Sequence, residues 1–185
     1  MKDRVMQITR KEISRFGLRR FTMDDVAAQL GISKKTLYKF FASKSELIHD
    51  VLISDLQKDK EQFMQAIANE GNWFDKLSTA LSFSGKSRIS NDILQEVQLY
   101  FPEEEKLVND FLVFQKEQIY QLFEAGLAKG EIEPWFDLDK LLIIIMEILR
   151  ISSKQMSENG VSDQSGDMQE EIKKLIFFGL IKRTW

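Results

Sequence analysis

The chain has 185 residues, no cysteine, one histidine and a formal net charge of −3 at pH 7. That composition excludes a disulfide framework, a thiolate zinc site and a cysteine nucleophile, and with neither a phosphate-cradling glycine loop nor metal-ligand spacing it implies no enzyme, no metal and no cofactor. The acidic total argues against a nonspecific nucleic-acid coat, yet residues 1–50 carry 11 Lys+Arg against 6 Asp+Glu while residues 51–185 carry 15 against 23, a basic head on an acidic body.

The first helix is expected from Lys2 to Phe16, with Val5, Ile8 and Ile13 facing its neighbours and Lys2, Arg4, Arg10 and Lys11 outward, and Gly17 ends it. Its charged, amphipathic sequence has no signal-peptide core. The longest dense apolar run, Leu141 to Met146, is far short of the about 20 residues a membrane span needs, so a cytoplasmic protein with no membrane partner is expected. Residues 22–47 then carry the most information. Thr22 and Asp25 have capping-box spacing, and Met23, Val26, Ala27 and Leu30 share one face of a second helix. Gly31 supplies a left-handed stop, Ile32 anchors the turn, and Ser33 caps a third helix reaching about Phe40. This is a helix-turn-helix whose later helix reads DNA.

Lys34 and Lys35 stand in the first turn of that reader helix, where the macrodipole disfavours cations. Phosphate contact explains the violation, since the Ser33 and Thr36 hydroxyls and the helix start make an anion-binding surface with them. Tyr38 and Lys39 extend along the exposed side, while Leu37 and Phe41 are better placed as core. Thr22 and Lys44, at the starts of the second and fourth helices, clamp the DNA backbone on either side, although Thr22 also serves as a cap. Arg19 and Arg20 add charge to the same end.

The stretch from residue 4 to 52 resembles the DNA-binding domain of the TetR family of bacterial transcriptional regulators. Gly17, Thr22 to Ala27, Leu30 to Ser33, Thr36 to Phe41 and Lys44 to Leu47 fall in that family's order and spacing. The resemblance puts Tyr38 at phosphate. It implies a cytoplasmic homodimer on a palindromic double-stranded DNA operator, acting as a repressor and released when a small molecule binds the second domain and swings the fourth helix. The alternative is a regulator without a small effector, controlled by a protein partner or by abundance.

Beyond the motif, Ser43 and Glu46 open a long helix to about Ala68, a shorter one spans Trp73 to Phe83, and Ser84 to Ser87 punctuate before a helix ending near Phe101. Pro102 and three glutamates start a helix to about Lys129; another begins near Asp137 and frays from Ser152; Met168 to Lys182 forms the last. No strand pattern is found, so the fold is expected to be all-α with about nine helices, divided into a DNA-binding domain at 1–45 and an effector-binding and dimerisation domain at 46–185. Leu141, Ile144, Ile145 and Ile148, with Ile172, Leu175 and Ile176, are the expected dimer interface, as the final two helices form a four-helix bundle with their mates in similar proteins. Aromatic side chains are numerous enough to line a pocket for a small apolar or aromatic effector; Phe63, Phe83, Tyr100, Phe111, Phe114 and Gln118 are the candidates. His49 is expected to be solvated or helix-capping rather than a metal ligand.

Overall fold

A computed structural model describes residues 1–83, 89–135, 137–159 and 171–176, with the backbone alone at Asn91 and at 149–159. The described residues form α1 (Lys2–Arg20), α2 (Met23–Leu30), α3 (Lys34–Leu37), α4 (Lys44–Asn69), α5 (Trp73–Phe83), α6 (Asn91–Tyr100), α7 (Pro102–Ala128) and α8 (Leu138–Asn159). Residues 171–176 are also helical. The protein is all-α, as its periodicity requires. The expected punctuation at Ser84 to Ser87 and most of the expected helix from Met168 to Lys182 lie outside the described residues.

Local chemistry explains several of the helix ends. Gly17, at φ 80° and ψ 171°, interrupts α1 after Phe16, so the chain turns there before Leu18 to Arg20. Thr22 caps α2 through a complete capping box: its hydroxyl accepts from Asp25 N at 3.2 Å, and its own N–H donates to Asp25 Oδ2 at 3.0 Å. Those bonds from the Thr22 side chain and backbone hold the Asp25 carboxyl below its usual value. A depressed carboxylate contributes above its unfolded value, so this cap is intact at neutral pH and weakens as pH falls through the lowered value. Gly31, at φ 66°, closes α2 with left-handed backbone, and its N–H bonds to the carbonyls of Ala27 and Ala28. At α4 the cap differs from the expectation in one detail: Ser43 Oγ accepts from Glu46 N, but the Glu46 carboxylate reaches Ala42 N at 2.6 Å instead of the Ser43 amide. In α8 the backbone stays helical through Asn159, beyond the fraying expected from Ser152.

The chain divides into two compact units, Met1–Lys58 with Arg88–Asn109 and Asp59–Ser87 with Asp110–Trp185. α4 runs through residue 45 and on to Asn69, and α6 packs with α1 in the first unit. In the first unit Val5, Leu18, Phe21, Val26, Leu37, Phe41 and Leu47 are sealed from solvent. Polar bonds fix helix register around that core. Glu12 of α1, 1% exposed, accepts from Gln29 Nε2 of α2. Arg10, expected to point outward, instead donates Nε to Asp55 Oδ1 at 2.6 Å and Nη2 to Ser54 Oγ at 3.0 Å, tying α1 to α4. His49 keeps a part-exposed side chain, and its Nδ1 lies 3.4 Å from Oε1 of the buried Glu104.

The second unit is built on Phe63, Trp73, Leu77, Leu81, Ile119, Phe123, Ile132, Leu142 and Ile145, with Ile172 and Ile176. Trp73 donates its indole N–H to the Leu122 carbonyl, and its ring covers Gly126 so closely that a Cβ there would stand inside it. Only a glycine lets α5 and α7 meet at this point. Ile145, Ile172 and Ile176 were expected at a dimer surface, but they are buried in this core at 1%, 8% and 9% exposure. The reason is the i, i+3 spacing of Leu142 and Ile145, which turns them inward and leaves Ile143, Ile144 and Ile148 exposed with Leu175, while Leu141 is half-buried.

Candidate nucleic-acid interface

The helix-turn-helix presents its chemistry from a short platform. α3 is four residues long, followed by hydrogen-bonded turns in which Phe40 N and Phe41 N reach the Leu37 carbonyl at 2.9 and 3.2 Å. Leu37 and Phe41 are fully buried and hold it against the unit's core, whereas Tyr38 is 41% exposed and Ser33, Lys34, Lys35 and Lys39 face solvent. Anchoring these two side chains fixes the direction of the other five.

Four expected contact residues have a defined structural task. Ser33 Oγ accepts from Thr36 N at 3.1 Å and lies 2.8 Å from Thr36 Oγ1, so both hydroxyls are engaged in starting α3. The Thr22 hydroxyl is engaged in the capping box, donating to Asp25 Oδ2 at 2.6 Å. Lys44 donates Nζ to the carbonyls of Arg19 at 2.8 Å and Phe21 at 2.7 Å, with the Phe21 ring 4.3 Å away. Desolvation lowers its ammonium below the usual lysine value, against the opposing charge of Glu96. Lys44 therefore braces the turn between α1 and α2, a task invisible in the motif because its acceptors lie 23 and 25 residues earlier.

The lysine pair at the start of α3 violates helix electrostatics less than the sequence implies. A four-residue helix has little macrodipole, and Lys34 Nζ meets Asp24 Oδ1 at 2.9 Å and Oδ2 at 3.0 Å. That bond and charge raise Lys34 above the ordinary lysine value. Asp24 thus occupies the cation that a phosphate would use. Asp24→Asn is expected to strengthen binding to any duplex a few-fold at low salt, with the gain shrinking as salt rises. Fluorescence anisotropy across a salt series checks this, and unchanged or weaker binding at low salt would remove Asp24 as a competitor.

Residues 6–51 match the family model described as bacterial regulatory proteins, tetR family. That segment belongs to the tetR family. The matched segment contains the whole capped α2, Gly31 turn and α3, the feature that orients the lysines. Among curated relatives, an uncharacterized HTH-type transcriptional regulator, YvaF of Bacillus subtilis, is 31% identical over 103 residues, 54% of this chain and 54% of that protein. The chain thus spans about half the length of that relative. The HTH-type transcriptional repressor KstR2 of Mycolicibacterium smegmatis is 23% identical over 168 residues, covering 86% of this chain and 80% of the repressor. The fold extends over the full length: a putative transcriptional regulator from Saccharomonospora viridis, solved in complex with choline, superposes with a TM-score of 0.87 at 15% identity, covering 98% of each chain.

The expected effector residues fall into two groups. Phe63 contacts Phe83 and Phe114 edge-on, with centroids 5.4 and 6.1 Å apart, and Lys60 Nζ lies 4.2 Å from the Phe114 centroid. Phe111 is buried and Gln118 half-buried on α7 in the same unit. Tyr100 does not join them: it ends α6 in the first unit, 49% exposed, under the Arg19 guanidinium at 4.0 Å. Gln115 of α7 is buried as well, at 3% exposure. No group of acidic, histidine or cysteine side chains among the described residues is arranged to hold a metal, and no helix there is long and apolar enough to cross a membrane.

Proposed function

We propose that this protein is a tetR-family DNA-binding transcriptional regulator that represses by occupying a palindromic operator as a homodimer. The observation that carries the reading is the outward display of Lys34, Lys35, Tyr38 and Lys39 on a platform whose Leu37 and Phe41 are buried. Lys35, Lys39 and Tyr38 meet phosphate or base edges, Lys34 does so by exchanging Asp24 for phosphate, and Ser33, Thr36, Thr22 and Lys44 hold the platform's shape. One short reader buries too little surface for a tight complex, which favours two half-sites. The exposed Ile143, Ile144 and Ile148 of α8 and Leu175 supply apolar surface for the second copy, while Ile145, Ile172 and Ile176 support it from within.

A small molecule bound in the second unit, apolar or aromatic in part, releases the operator in this reading. The choline complex of the S. viridis regulator supports a ligand in this fold, and the buried Gln115 and half-buried Gln118 supply polar groups beside the phenylalanines. The close edge contacts of Phe63 with two neighbouring rings favour a second reading, a regulator whose aromatic cluster is plain core and which answers to a protein partner or to its own abundance.

Selection of bound duplexes from a random pool at about 150 mM salt tests the function, because that salt weakens nonspecific phosphate attraction. An inverted repeat is expected. An Ile144→Glu, Ile148→Glu variant is expected to sediment as a monomer and to lose the repeat. Enrichment of a single half-site by both proteins would reject the homodimer, and no enrichment by ligand-free, folded protein would reject the DNA-binding reading.

A further inference from the structure

The turn that joins α1 to α2 is gripped from outside the helix-turn-helix. The break at Gly17 starts a new turn whose first amides have no carbonyl one helical turn behind them. Glu96 of α6 answers that need, accepting a short hydrogen bond from Leu18 N and a second from Arg19 N at 3.3 Å. The fit is close. A Cβ at position 17 would lie 2.6 Å from Glu96 Oε1 and 3.0 Å from Oε2, so glycine serves here both for its φ of 80° and for the approach of the carboxylate. Tyr100, one helical turn further along α6, carries the Arg19 guanidinium on its ring at 4.0 Å. From the other direction Lys44 of α4 takes the Arg19 and Phe21 carbonyls, and Leu18 and Phe21 are buried.

We propose that Glu96 is a positioning residue for DNA binding: by holding the Leu18 and Arg19 amides, it makes α6 the part that sets the α1–α2 turn and, through α2, the attitude of α3. Two charge-assisted bonds to backbone are directional, unlike apolar contact, so a shift of α6 is transmitted to the turn as a change of backbone position. α6 is followed after Phe101 by α7, which belongs to the first unit up to Asn109 and to the second from Asp110. Events along α7 therefore have a route of few covalent steps to Glu96.

The proposal rests on the DNA-binding reading, and the experiment separates the two. Glu96→Ala and Glu96→Gln are compared with the parent for affinity to the operator the parent selects, for the dependence of that affinity on salt, and for amide hydrogen exchange. In Glu96→Ala, exchange at Leu18 and Arg19 is expected to rise at least about tenfold while Val51 and Leu52 of α4 stay protected, and the operator is expected to bind about tenfold more weakly. The salt slope is expected to stay unchanged, because no phosphate contact is removed. Glu96→Gln keeps an acceptor and is expected to fall between, and it carries the test if the alanine variant does not fold. Faster exchange throughout α1, α2 and α4 would make Glu96 a general stabiliser and overturn the proposal. So would operator affinity within twofold of the parent. If the parent selects no DNA, both readings fall; if the parent and Glu96→Ala bind alike, only this one does.

Discussion

Replacing Lys35, Tyr38 and Lys39 together by alanine is expected to weaken operator binding at least about 100-fold while leaving the fold intact. The three side chains face solvent, so their loss changes stability little, by about 0.5 kcal/mol each at most. Each contact is expected to contribute about 1 kcal/mol or more, and roughly 3 kcal/mol in sum is about two orders of magnitude in Kd. Removing two lysines also takes away two released counterions, so the slope of log K against log salt is expected to fall by about 2. A salt titration of the parent and the variant on one selected operator reads both quantities. If affinity and slope match the parent's, α3 does not read DNA in this protein and the contact surface must be sought elsewhere on the basic end.

Phe63→Ala is expected to cost about 3–5 kcal/mol in denaturant unfolding, the second large effect. Its ring is fully buried and meets both Phe83 and Phe114 edge-on, so truncation removes apolar burial, two ring contacts and the fill of the space between α4, α5 and α7. The variant also separates the two readings of the second unit. A cost near the upper end, partly restored by a small aromatic probe occupying the void, marks plain core. A cost below about 1 kcal/mol means the ring already borders a space that can close or fill, which favours an effector site.

What the chain's order of residues makes legible is the helix-turn-helix. Its signals are local: the Thr22–Asp25 box, the left-handed Gly31, the Ser33 cap and the alternation of buried Leu37 and Phe41 with exposed Lys35, Tyr38 and Lys39 all lie within residues 22–41. Gly17 was readable as a stop for the same reason. The helices of the second unit were readable from periodicity, and the bounds of α5 coincide with those the pattern predicts.

Partners far apart in sequence were not readable. Asp24 and Lys34 are ten residues apart, Arg10 and Asp55 are 45 apart, and Glu96 meets Leu18 across 78 residues, so no spacing rule connects them. The same limit made Lys44 look like a DNA clamp when its ammonium is held by the Arg19 and Phe21 carbonyls, and placed Tyr100 with the phenylalanines of the other unit when it stacks on Arg19. Hydrophobicity alone marked Ile144 and Ile145 equally, yet one is 56% exposed and its neighbour 1%. Adjacent helical residues point about 100° apart, so which side is covered depends on where α5, α7 and residues 171–176 pack against α8. The sequence by itself therefore determined the local frame, the helices with their caps and the exposed lysines of α3. Only the tertiary structure decided which charges pair, which isoleucines are left at the surface, and that a carboxylate on α6 holds the turn before α2, because those outcomes depend on helices brought together through space.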